Sequence, residues 1–175
     1  MIRLSHLFFP AAVALAATPA LAQEQAEKVC VKAGDLPAEL AGWRQPHAAL
    51  TAAAKPADLK KAELILGTAA DAKLQPTPTI KFTLDPSKPG GSVSHGGLFA
   101  FTIPAAGKYR VALGSGAWID VIEDKKAAVS IAHGHGPDCT GVRKMVDYDL
   151  KAGRHILQVS ANGAPELTLM VTKLP

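Results

Sequence analysis

The sequence predicts an all-β protein: an antiparallel two-sheet sandwich, jelly-roll-like, preceded by a short helical N-terminal segment. Three observations predict it. From Glu63 onward, short apolar runs alternate with Gly, Pro and Asp punctuation. Several runs place apolar residues at every second position, the period of a strand with one buried face. No stretch after Glu63 has room for the long helical crossovers of repeated parallel units.

The first 22 residues have the pattern of an export signal. Arg3 supplies a positive charge, an apolar core starts at Leu7, and Ala20-Leu21-Ala22 is the small-x-small cleavage pattern. That core is shorter than the roughly 20 residues of a membrane span. Gln23, not a lipid-accepting Cys, follows the expected cut after Ala22. The expectation is a periplasmic or secreted protein with no membrane insertion once the signal is removed. The remaining chain, about 150 residues, has the size of one domain with a real core. Residues 23–62 form a lead-in with short helices, and residues 63–175 form the sandwich.

Within the lead-in, Asp35 is placed to cap a short helix with Pro37 in its first turn and Gly42 at its end. The Ala-rich stretch 46–54 predicts a second short helix, closed by Pro56. Strands are expected at 63–66, 79–84, 98–103, 109–113, 118–122, 128–132, 144–150, 155–160 and 167–172. Phe99, Phe101 and Ile103 share one face. Val146, Tyr148 and Leu150 oppose Asp147 and Asp149, and Leu167, Leu169 and Val171 oppose Thr168, Met170 and Thr172. Turn residues fall between the runs at 104–107, 114–116, 151–153 and 162–163. The longest irregular stretch, 85–97, is long enough to have a task of its own.

Charge and composition exclude several function classes. The formal net charge is +4, but the basic residues are scattered and aromatics make up 5% of the chain, which argues against a nucleic-acid groove. There is neither a Gly-x-Ser-x-Gly elbow nor a glycine-rich phosphate cradle.

The chemistry-bearing residues concentrate in two glycine-rich runs, Ser94-His95-Gly96-Gly97 and His133-Gly134-His135-Gly136-Pro137-Asp138-Cys139. If the second run is extended, His133 and His135 leave one face, as two ligands of one metal do. His95 is the candidate third ligand, and Asp138 or Asp120 the candidate fourth. Three imidazoles suit Zn or Cu, and two with a carboxylate suit non-haem Fe. The alternative is that these rings bond backbone carbonyls and hold the loops together. Asp120 interrupts an apolar strand, as a site residue or as the partner of Arg110 or Arg143. Arg143 and Lys144 are candidates for the border of the same pocket. Trp118 and Tyr148 either pack in the core or form an aromatic platform for a sugar. Cys30 and Cys139, the only two cysteines, most simply form one disulfide in an exported chain; the rival reading makes Cys139 a metal ligand.

Two resemblances add to this reading. The segments from Phe99 to Val111, from Trp118 to Val121 and from Leu150 to Val159 resemble pre-peptidase C-terminal and related carbohydrate-binding-like sandwiches, which implies a fold and no particular function. The words Leu36-Pro-Ala-Glu-Leu-Ala-Gly-Trp43, Pro89 to Gly97 and His133 to Pro137 with Cys139 are similar to a family of small exported alphaproteobacterial proteins. That family often carries the label homogentisate 1,2-dioxygenase, which implies Fe(II) held by two His and one Glu in a cupin-type barrel. This chain departs from that pattern in its length, its export signal and its Asp138, three positions after His135, where cupins place a Glu slightly further on. Two readings follow. The first is an exported binding or accessory module holding a transition metal or small polar ligand, its ligand or periplasmic partner unnamed. The second is a small metal-dependent oxygenase.

Overall fold

The computed structural model describes residues 30–175. The expected signal peptide and the first residues of the lead-in lie outside the described residues. Two sheets stack face to face. The first has the strand order β1 (Ala48–Thr51), β3 (Ala70–Lys73), β12 (Glu166–Lys173), β6 (Gly107–Leu113), β10 (Lys144–Leu150), β9 (Ser130–Gly134). The second has the order β2 (Glu63–Leu64), β5 (His95–Ile103), β11 (Gly153–Asn162), β7 (Trp118–Glu123), β8 (Lys126–Ala127), with β4 (Gln75–Pro76) also on β5. Pairing is antiparallel except for two short parallel ladders, β1 on β3 and β2 on β5. The two-sheet sandwich expected from the alternating pattern is therefore the observed fold.

The alternation works as its period requires. Phe99, Phe101 and Ile103 from the second sheet meet Val111, Leu113, Tyr148, Leu167, Leu169 and Val171 from the first in one buried core. The other face of the first sheet is covered as well. Ala112 and Met170 point there and are buried under a 3₁₀ helix, Ala38–Arg44, through its Leu40 and Trp43. This N-terminal segment is a strap across the outside of the first sheet.

Three expectations about local structure are corrected. The stretch 46–54 is not a helix: residues 48–51 form β1, whose register with Ala70–Lys73 satisfies backbone groups that the Ala-rich sequence alone would leave to a helix. The first helix is 3₁₀ and has no side-chain cap; Pro37 occupies the N-cap position, so Asp35 does not cap it. Residues 79–84 are not a strand. The buried Gln158 side chain takes up the backbone there, accepting from the Thr83 and Leu84 N–H groups and donating to the Leu84 carbonyl at 2.9 Å. Among the described residues, no helix is long and apolar enough to cross a membrane.

Candidate functional site

The glycine-rich runs do not converge as the His-x-His pattern predicts. His133 lies within β9, but the strand ends at Gly134 and the chain turns away. The rule that i and i+2 share a face therefore lapses at His135. His133 lines a cleft of about 310 Å³ with Trp118 and Lys144. His135 lines a separate groove of about 550 Å³ with Asp138, Cys139 and Arg143, and its Nδ1 bonds the Arg143 carbonyl at 3.1 Å. His95, at the start of β5, borders neither. Arg143 and Lys144 also part: β10 begins at Lys144, so consecutive side chains go to different sides.

Cys139 is joined to Cys30 in a disulfide with a Cα–Cα distance of 5.5 Å, so it offers no thiolate to a metal. This cross-link fits an oxidising, exported environment. Among the described residues, no three His, Cys, Asp or Glu side chains come together in a group that would hold a metal ion. The donor set that Zn, Cu or a two-His-one-carboxylate iron requires is not assembled by the residues that the sequence singled out.

The motif glycines have a packing explanation. A Cβ at Gly96 would lie 2.3 Å from the Val159 carbonyl oxygen across the β5–β11 ladder, and one at Gly136 would lie 2.3 Å from the Val142 carbonyl oxygen. In both runs the missing side chain admits another stretch of this same backbone.

The 310 Å³ cleft is the better candidate. It lies at the open edge between the sheets, with β7 on one side and β9 and β10 on the other. Asp120 lines it. Its Oδ1 accepts from the Trp118 indole N–H at 3.1 Å, while Oδ2 is buried with no hydrogen-bond partner of good geometry. Burial lifts the Asp120 pKa above the usual carboxylate range, against the pull of Trp118, Gln158 and the Lys144 charge. Arg110, a partner expected from sequence, is occupied elsewhere, and Arg143 lines the other groove.

Lys144 faces Asp120 across the cleft. Its ammonium donates to the Ala117 carbonyl at 2.9 Å, and burial together with the Lys88 charge lowers its pKa. Tyr148 lines the cleft floor with its pKa pushed well up, first by burial and then by the Asp120 charge, so its hydroxyl stays protonated. The Trp118 ring is not an open platform: Lys88 Nζ lies 5.0 Å and Lys144 Nζ 5.2 Å from its centroid. Aromatic stacking of a sugar on that ring would have to displace ammonium groups already there. The arrangement offers a carboxylate, a cation with donors to spare and aliphatic walls from Ile119 and Val146.

Sequence reasoning placed His133, Asp120 and Lys144 around one proposed metal pocket and paired Trp118 with Tyr148, but missed that all five line a single cleft without His95 and His135. The signal that was available is the charged residue inside an otherwise apolar strand. His155, which sequence left without a partner, is structural: its Nε2 bonds the Lys151 carbonyl at 2.9 Å and its ring stacks on Phe101.

No protein-family model matches this chain, and no curated protein sequence matches it. Among solved structures, it is similar to the pre-peptidase C-terminal domain of a collagenase from Bacillus anthracis, at 14% identity, covering 73% of this chain and 97% of that one, with a TM-score of 0.37. That domain is of the sandwich type that the second half of the sequence resembles. A likeness this distant leaves the fold to rest on the strand pairing described above.

Proposed function

We propose that this protein is a non-enzymatic binding module of the periplasm or of the secreted space, holding a small polar ligand in the cleft at Asp120 and Lys144. The observation that carries the reading is the placement of Asp120 and Lys144, a carboxylate and an ammonium each shifted by burial, on the lining of one cleft. The Asp120 carboxylate, as part of the lining, calls for a ligand N–H or O–H. Lys144, on the facing wall, calls for an acceptor or an anionic group on the same ligand. The fitting chemistry is a small molecule with a hydroxyl at one end and a carboxylate or carbonyl at the other. His133 at the rim of the cleft adds a polar contact.

The test is a solution NMR screen of the disulfide-bonded mature protein against small hydroxy acids, neutral polyols and amines. Shifts confined to Trp118, Asp120, Lys144 and Tyr148, and abolished in Asp120→Ala, support the reading. Absence of any cleft response across the three classes overturns it, as does binding that Asp120→Ala leaves intact.

A further inference from the structure

His47 sits between the 3₁₀ helix of the strap and β1, and both of its ring nitrogens face acceptors. Nδ1 lies 2.9 Å from Asp71 Oδ1, and Nε2 lies 3.0 Å from the Trp43 carbonyl oxygen. A carbonyl has no proton to give, and neither has an ionised carboxylate. A neutral imidazole carries a single N–H and cannot donate to both. The geometry therefore requires the imidazolium form. The carboxylate it meets is itself fixed, because Thr168 Oγ1 of β12 donates to the same Asp71 oxygen at 2.7 Å.

We infer that His47 is a proton-dependent clasp that holds the N-terminal strap against the first sheet, and that loss of its proton releases one of the two bonds. The bonds join three elements: Trp43 on the strap, Asp71 on β3 and, through Asp71, Thr168 on β12. Trp43, His47 and Asp71 also line a groove of about 640 Å³, so the clasp sets one wall of that groove. The other charged groups facing it are Lys73 of β3 and Glu166 of β12, one of each sign. On the strap itself, Arg44 is turned the other way and donates to the Gly34 carbonyl.

The direction of the response follows from linkage. The His47 pKa is raised, chiefly by the Trp43 carbonyl and then by Asp71. Its contribution is therefore complete below the unfolded value of about 6.5 and is lost as pH rises through the higher folded value. The Asp71 pKa is lowered, by Thr168 first and His47 second, so the carboxylate stays charged well into acid. The clasp is closed below the ordinary imidazole range and opens as pH rises through the raised folded value.

The experiment combines an NMR titration of the His47 ring with amide hydrogen exchange of residues 38–47, corrected for intrinsic rates. The expected result is a His47 midpoint above the ordinary imidazole range. Strap amides should lose about tenfold in protection through the same midpoint, the equivalent of one charge-assisted hydrogen bond. His47→Gln should remove the pH-linked step. Asp71→Asn, which keeps the side-chain shape, should lower the midpoint, and this keeps the test decisive if His47→Gln folds poorly. A midpoint at or below the ordinary value overturns the inference, as does strap protection that does not change while His47 titrates.

Discussion

Asp147 and Asp120 occupy equivalent positions in sequence, each a carboxylate set among apolar neighbours in the middle of a strand, and the structure treats them in opposite ways. Asp147 lies under the strap. Arg110, opposite it in register, meets it in a bidentate pair at 2.7 and 2.9 Å and reaches Glu39 on the strap with its remaining arm. Asp120 is held by neutral donors, the Trp118 indole and the Gln158 amide, and burial disfavours its charge. Ion-paired carboxylates close the molecule's strapped side, and one hydrogen-bonded by neutral donors marks its open edge. The contrast teaches that a charge within an apolar strand is informative only once its partners are counted.

The contrast can be broken from the strapped side first. Cys30 and Cys139 are 109 residues apart. In the chain-entropy model, removing their cross-link costs about 4–5 kcal/mol, the largest single effect expected here. Urea unfolding of the Cys30→Ser, Cys139→Ser protein measures it. Next is Arg110→Met, which leaves Glu39 and Asp147 without their cation. Breaking a pair with side chains only 16% and 11% exposed should cost about 3 kcal/mol, read from the same urea midpoint.

The cleft should behave in the opposite sense. Asp120→Asn is expected to leave stability at neutral pH within about 1 kcal/mol of the parent, or above it, because it removes a carboxylate that burial disfavours. A pH series sharpens the point. The folded pKa of Asp120 is raised, so the folded state holds this proton more tightly than the unfolded chain does. Stability therefore falls as pH climbs from the unfolded value of about 3.9 through the folded one, and Asp120→Asn should flatten that decline. A loss at Asp120→Asn as large as that at Arg110→Met would erase the distinction between the two regions.

Much of the sandwich was legible because its central strands have one buried face. β10 spans Lys144–Leu150, the bounds that the alternation of Val146, Tyr148 and Leu150 with Asp147 and Asp149 predicts. β1 was not legible. Its residues, Ala48–Thr51, have helical propensity, and only the parallel ladder to β3 makes them a strand. The loop at 79–84 has β-prone residues, yet its backbone is held by Gln158, 74 residues further along the chain from Leu84. For the site, sequence put Asp120 and Lys144 at the margin of a pocket centred on three imidazoles. The centre was wrong, because which face of one sheet lies over which residues of the other is not encoded in the period of either. The His-x-His pattern misled for a similar reason: the two rings share a face only while the strand continues, and β9 stops between them.

The strap has a consequence for the order in which the molecule is built. Glu39 receives a hydrogen bond from Thr172, 133 residues away, and β1 rests on β3, which in turn rests on β12. The earliest described part of the polypeptide thus finds its resting place only after the last strand has been delivered. Contacts this distant along the chain are assembled slowly. A chain made N-terminus first keeps this outer layer waiting until β12 is there to receive it.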